Sequence, residues 1–322
     1  MTKRRSGPDE RSSWTFRSIP DQSGRLAVVT GANSGIGQVT ARELARRGAH
    51  VVLACRNAER GRAALERLRA ELPDARVELQ QVDLASLQSV REFAESFPHH
   101  RIDLLINNAG IAMVPLARTA DGFESQFGVN HLGTFALTGR LLPRLLAAPA
   151  PRVVTVSSEG QRFARFDLTN LNAERGYRAA FAYVQSKRAN LYFARELHRR
   201  AAKAFPHLHS LAVAPGLTRS NVLTGGANTE RGALYRTVMP LIIRAAFQPT
   251  PGGARTSLRA ATDPNVPSGS YLAPSGFLEL RGGPAPRNQH RALHDVETAR
   301  RLWEISEDLT GVRYDVDNLV HD

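Results

Sequence analysis

Cysteine is almost missing from this chain: 322 residues hold one, Cys55. A single thiol cannot close an internal disulfide or build a cysteine-based zinc site, and it fits a reducing, cytoplasmic setting. A chain of this length buries enough surface to need neither disulfides nor a metal to hold it together, and no metal is expected. Lysine is nearly as scarce, with Lys3, Lys187 and Lys203 the only ones among 43 basic residues. No apolar run approaches the roughly 20 residues of a membrane helix. The segment 1–17 is polar and lacks the apolar core of a secretory signal.

The net charge of +13 raises the question of a nucleic-acid partner. The arginines that carry it are spread along the chain rather than gathered into a stripe, which is better explained by a GC-rich coding sequence. No nucleic-acid partner is expected. A hydrophobic fraction of 42% and a charged fraction of 23% are those of an ordinary globular protein.

What is present is an alternation. Short apolar runs at 26–29, 51–54, 77–82, 104–106, 153–156 and 208–214 are separated by amphipathic stretches at 36–47, 58–71, 87–97, 122–146 and 179–204. Strands of this length between helices of ten or more residues mean repeated βαβ units and a parallel sheet. Near-continuous apolarity in the strands means that helices cover both faces. The expected fold is α/β, a doubly wound parallel sheet of Rossmann type in a single domain spanning 23–322. Residues 1–22 read as a flexible tail whose end Trp14 and Phe16 could pin down. A substrate-loop insertion is expected at about 217–250, and a last helix at 291–309.

The first strand runs into Thr30-Gly31-Ala32-Asn33-Ser34-Gly35-Ile36-Gly37 and then a helix. Gly31 permits the turn, Gly35 lets the backbone approach a pyrophosphate, and Gly37 lets helix and strand pack closely. The helix N-terminus offers free N–H groups and the positive end of its dipole. The spacing is Gly-x3-Gly-x-Gly rather than Gly-x-Gly-x2-Gly.

Together with Asp83-Leu84, Asn107-Asn108-Ala109-Gly110, Asn130, Ser157-Ser158, Tyr183-x3-Lys187 and Pro215-Gly216, this loop resembles the short-chain dehydrogenase/reductase family. The order of motifs matches from about residue 24 to 309. The segments 30–37 and 129–133 are similar to its retinol-dehydrogenase and protochlorophyllide-reductase-like branch. The resemblance implies that Asn33, Ser34 and Ile36 join the loop glycines at the cofactor. It places Asp83 and Leu84 at the adenine and Asn108, Ala109 and Gly110 behind the cofactor. Pro215, Gly216 and Thr218 would meet the nicotinamide carboxamide. Asn130 would hold a water in a proton relay to Lys187.

After the second strand, where an acid would favour a free ribose 2′-hydroxyl, the chain reads Ala54-Cys55-Arg56-Asn57. A guanidinium binds phosphate bidentately, so Arg56 with Asn57 points to NADP(H) over NAD(H). Tyr183 and Lys187 stand one helical turn apart on one face. A carbonyl accepting hydride must also gain a proton, and an alcohol losing hydride must shed one. An adjacent ammonium and an oxidised nicotinamide both favour phenolate. Bringing a tyrosine from about 10 to about 7 takes roughly 4 kcal/mol. The resemblance points to Ser158, more than Ser157, as the hydroxyl that would hydrogen-bond the substrate oxygen as charge develops. Glu159-Gly160 departs from the small apolar residues common in the family at this point.

The expected function is NADP(H)-dependent hydride transfer between nicotinamide and a carbonyl or alcohol, bulky and hydrophobic, with Asn130, Ser158, Tyr183 and Lys187 catalytic. The alternative of a catalytically silent NADP(H)-sensing protein does not require that set. An epimerase or dehydratase of the extended family would carry Gly-x2-Gly-x2-Gly. A homo-oligomer is compatible with the chain.

Overall fold

β-Branched and aliphatic residues fill six parallel strands: β1 (Leu26–Thr30), β2 (His50–Cys55), β3 (Val77–Gln81), β4 (Leu104–Asn107), β5 (Arg152–Val156) and β6 (His209–Val213). The computed structural model describes residues 14–163, 166–218, 248–287 and 290–314. Two strands were not foreseen from the sequence. β7 (Tyr271–Pro274) adds in parallel to β6, and β8 (Pro284–Pro286) closes the edge antiparallel. Proline at both ends of β8 suits an edge strand, where the missing N–H costs no ladder bond. The sheet runs β3-β2-β1-β4-β5-β6-β7-β8. Strand order reverses between β1 and β4, the crevice where such sheets bind ligands.

Helices α1 (Gly35–Arg46), α2 (Ala58–Glu71) and α3 (Leu87–Glu95) follow the first three strands. The stretch expected as one helix at 122–146 is built in parts. Gly122 is left-handed (φ 83°), and Glu124 caps the turn Ser125–Phe127 by accepting from the N–H groups of Gln126 and Phe127. A π-helical segment, Gly128–Leu132, then leads into α4 (Gly133–Leu146). Helix α5 (Ala179–Ala204) has the expected limits. Helix α6 (Thr250–Thr262) was not foreseen, because Pro251-Gly252-Gly253 reads as loop; proline is nevertheless compatible with a helix first turn. Helix α7 (Val296–Thr310) begins after a separate 3₁₀ turn, Arg291–His294, rather than at 291.

The inward residues form a buried layer on each face. On one side Val52, Leu105 and Val153 meet Phe93, Phe135, Phe193 and Trp303. On the other, Val29, Leu53 and Ile106 meet Leu44, Leu68 and Leu258. The expected tail does not hold for residues 14–22. Trp14, Ile19 and Gln22 are buried, Trp14 and Ile19 join the second layer, and Arg47 Nη2 donates to the Phe16 carbonyl at 2.9 Å. Residues 14–22 therefore pack on the domain, because two large apolar side chains bury more surface there than a free tail could. The core of the 217–250 insertion, residues 219–247, lies outside the described residues. Among the described residues no helix is long and apolar enough to cross a membrane.

Candidate active site

The carboxyl ends of β1, β2, β4, β5 and β6 open into one cleft of about 270 Å³. Its floor is the β1–α1 loop, where Gly31, Asn33, Ser34, Gly35, Ile36 and Gly37 all line the space. Gly31 (φ 66°) and Gly35 (φ 58°) take left-handed conformations that other residues would strain to adopt. A methyl at Gly37 would meet Asn108 Nδ2 and the Gly31 carbonyl oxygen at 2.5 Å. Ser34 caps α1 without a side-chain bond, so the first N–H groups of the helix face the cleft. That cradle fits a dinucleotide phosphate.

At the far end, Arg56 and Asn57 line the cleft as expected, and so does Arg60, one helical turn on. The guanidinium of Arg56 is exposed and makes no hydrogen bond or ion pair with the described residues. Asn57 also caps α2, its Oδ1 accepting from Arg60 N at 2.8 Å. Cys55 faces away, 1% exposed, and burial pushes its thiol up to about 11 against the lowering influence of the nearby Ala32 and Asn33 backbone. Asp83 and Leu84 line the cleft, and Asp83 Oδ1 accepts from Ala85 N at 2.9 Å.

Asn108, Ala109 and Gly110 form the back wall. Asn108 Nδ2 donates to the Thr30 carbonyl at 2.8 Å, while Thr30 Oγ1 accepts from the N–H groups of Asn108 and Ala109. The loop is thus clamped to the end of β1. Asn130 sits fully buried in the π-helical segment behind this wall. Its Oδ1 accepts from Ile111 N at 2.8 Å, and its Nδ2 donates to the Ile111 carbonyl and to Ser186 Oγ. Both amide hydrogens of the side chain are committed to protein partners, and it does not line the cleft.

Tyr183 and Lys187 line the cleft from α5. Lys187 Nζ donates to the Val156 carbonyl at 3.1 Å, and burial pushes its pKa down to about 8. Ser157 and Ser158 separate cleanly. Ser157 Oγ donates to the Lys187 carbonyl at 2.7 Å and so ties β5 to α5. Ser157 lines the cleft and Ser158 does not; Ser158 Oγ accepts from Gly160 N at 3.3 Å and is close enough to the Tyr183 phenol and the Glu159 carboxyl to lower both. Tyr183 is raised to about 12, first by burial and then by the negative charge of Glu159, against the lowering contact with Ser158. The spacing of Tyr183 and Lys187 predicts a phenol lowered by the lysine; in the protein alone, burial raises it and Lys187 is not among the groups that shift it.

At the end of β6, Pro215 lines the cleft but Gly216 and Thr218 do not. Gly216 (φ 74°) turns the chain away, and Thr218 Oγ1 donates to the Gly216 carbonyl at 3.0 Å while packing on Gly253 of α6. Gly216 and Thr218, expected at the carboxamide, thus stand outside the cleft lining.

The short chain dehydrogenase family profile matches residues 25–230. The chain belongs to the short-chain dehydrogenase/reductase family. Mouse retinol dehydrogenase 14 is 38% identical over 303 residues, which cover 90% of this chain and 86% of the relative. A Mycobacterium paratuberculosis protein of known structure is 41% identical with a TM-score of 0.77, covering 94% of this chain and 98% of that one. A short chain dehydrogenase from Escherichia coli CFT073 complexed with NADPH is 27% identical with a TM-score of 0.53, covering 70% and 92%. This short-chain dehydrogenase/reductase is therefore an oxidoreductase acting on CH–OH or C=O groups with a nicotinamide cofactor. Three residues of its site were not singled out for a role from sequence. Arg60 could have been found as the residue one turn after Arg56. Ser186, whose Oγ bridges Asn130 and the Tyr183 carbonyl, carried no signal beyond its place beside Lys187. Glu159 was noticed only as a departure from the family pattern.

Proposed function

We propose that this short-chain dehydrogenase/reductase uses NADP(H) to interconvert a bulky, hydrophobic carbonyl compound and its alcohol, with Tyr183 as acid/base. The observation that carries the reading is the convergence of Tyr183 and Lys187 on one wall of the cleft, with Ser158 beside the Tyr183 phenol. The cofactor, when bound, supplies or accepts the hydride. Tyr183 holds the proton that the substrate oxygen gains or gives up. Ser158 donates to that oxygen as its charge develops, in a site that burial keeps poor in water. Lys187, anchored on the Val156 carbonyl, orients α5 against β5 and brings positive charge to the phenol. Asn130 braces the wall behind them through Ile111 and Ser186.

Preference for NADP(H) rests on Arg56 and Arg60 at the far end of the cleft, with no carboxylate at Cys55 to favour a free 2′-hydroxyl. The NADPH complex of the Escherichia coli relative is in keeping with it. A hydrophobic substrate is supported by the mouse relative, named for retinol, a largely hydrocarbon alcohol. The single cysteine supports a reducing, cytoplasmic setting. The test is turnover of a panel of apolar ketones, aldehydes and alcohols with each cofactor, followed at the nicotinamide absorbance band. Reduction of apolar carbonyls with NADPH is expected. NADPH binding without turnover of any panel member would favour the sensing alternative.

A further inference from the structure

Opposite the cleft, at the amino ends of the strands, three potential metal ligands from three separate elements converge. His50 is the first residue of β2, and Glu78 is the second of β3. Register pairs Glu78 with Val52, so His50 and Glu78 share one face of the sheet. His99 comes from the connection between α3 and β4 and lies over the same face. Its Nε2 is 2.5 Å from Glu78 Oε1, and His50 Nε2 is 3.6 Å from that oxygen. The ligand atoms all lie within 4.8 Å of one another.

A tetrahedral zinc ion with bonds near 2.0–2.1 Å spaces its ligand atoms about 3.4 Å apart. Small rotations of the three side chains reach that spacing, and the backbones that carry them are fixed. The β2–β3 ladder holds two of them, and Arg144 holds the third by donating from Nε to the His99 carbonyl at 3.2 Å. The side chains are about 30% exposed, open enough for an ion to enter. A cavity of about 400 Å³ lies alongside, lined by His50, His99 and His100 and by Arg25, Arg76 and Arg101.

We propose that His50, Glu78 and His99 form an open, three-ligand site for a divalent transition metal of the zinc class, tying β2 and β3 to the α3–β4 connection. Two imidazoles and one carboxylate suit zinc, and copper or nickel as competitors, rather than the all-oxygen shells of calcium or magnesium. The fourth position opens to the arginine-lined cavity and suits water or a small anion. The arginines repel a cation, so the affinity belongs in the range of about 1–100 µM rather than that of a closed four-ligand site.

The full-length protein, freed of any polyhistidine tag and stripped with chelator, is titrated with ZnCl₂ by calorimetry and with Co²⁺ by visible absorption. One zinc per chain and a Co²⁺ ligand-field band are expected. His50→Ala/His99→Ala should weaken binding at least about 100-fold and Glu78→Gln about 10-fold, since even outer-sphere partners cost 10–100-fold. His207→Ala should bind as the parent does. NADPH affinity, read on every variant, should stay at the parental value and so reports that each remains folded. No zinc uptake by the parent at millimolar metal, or uptake that survives His50→Ala/His99→Ala or Glu78→Gln at parental affinity, overturns the proposal.

Discussion

Burial pushes the two titrating groups of the site toward their neutral forms, Tyr183 up to about 12 and Lys187 down to about 8. A phenol held above its ordinary value keeps its proton throughout the physiological range and is ready to donate it to a reduced carbonyl. Alcohol oxidation needs the phenolate, so its rate should rise with pH. Glu159 sits beside this pair, with burial raising its own carboxyl. As an anion it opposes the phenolate. Glu159→Gln removes that opposition, so the alkaline limb of the oxidation profile should move to lower pH while the fold persists. A limb that stays in place, or moves higher, would show that Glu159 does not act on Tyr183. At the other end of the cleft, Arg56→Ala should remove most of the NADPH-over-NADH preference. That preference is worth roughly the 1.5–3 kcal/mol of a charge-assisted hydrogen bond. Calorimetric titration of both cofactors checks it, and equal affinities in the parent would contradict it.

Elements hold these groups in place through contacts closer than most side chains allow. A methyl at Gly37 would collide with the Gly31 carbonyl and with Asn108, which is itself bonded to Thr30. Gly37→Ala should therefore cost about 1–3 kcal/mol, as overpacking does, and weaken NADPH binding in step. A thermal midpoint and a cofactor Kd that both match the parent would refute the packing role. The long elements and the cofactor loop were legible in the sequence because their periodicity and glycine spacing are local. Helix α5 and the lining role of Gly31 to Gly37 could be read directly. Elements that owe their form to the rest of the fold could not. β7 and β8 have four and three residues and exist through pairing with β6 and with each other. Helix α6 carries two glycines in its first turn, which close packing of Gly252 on Gln248 and of Gly253 on Thr218 and Ile36 explains. Asn130 was found, but its engagement with Ile111 and Ser186 depends on a π-helical segment that no spacing announces. The cluster of His50, Glu78 and His99 is spread over about 50 residues and meets only through strand register.

Across the whole molecule, positive charge is gathered around acids as much as it is dispersed. Arg42 and Arg46 meet Glu43 and Glu71, Arg199 and Arg200 meet Glu196, and Arg300 meets Glu297 and Glu304. Glu43 and Glu196 are buried beneath their arginines, whereas a pair exposed on both sides, as Arg300 with Glu297, stabilises little; the fold rests on the two apolar layers either side of the sheet. The sheet acts as a platform: its carboxyl ends carry the cleft, and α5 brings Tyr183 and Lys187 over the end of β5. This division predicts that chemistry can be removed without disturbing the rest. The most direct test is Tyr183→Phe, which deletes one hydroxyl and keeps the ring. Assayed with a substrate that the parent turns over well, hydride transfer should fall by about 10²–10⁴, the usual loss for a positioned acid/base. NADPH affinity and thermal stability should stay near the parental values, and the pH-dependent limb of oxidation should vanish. Near-parental turnover in Tyr183→Phe would contradict the mechanism.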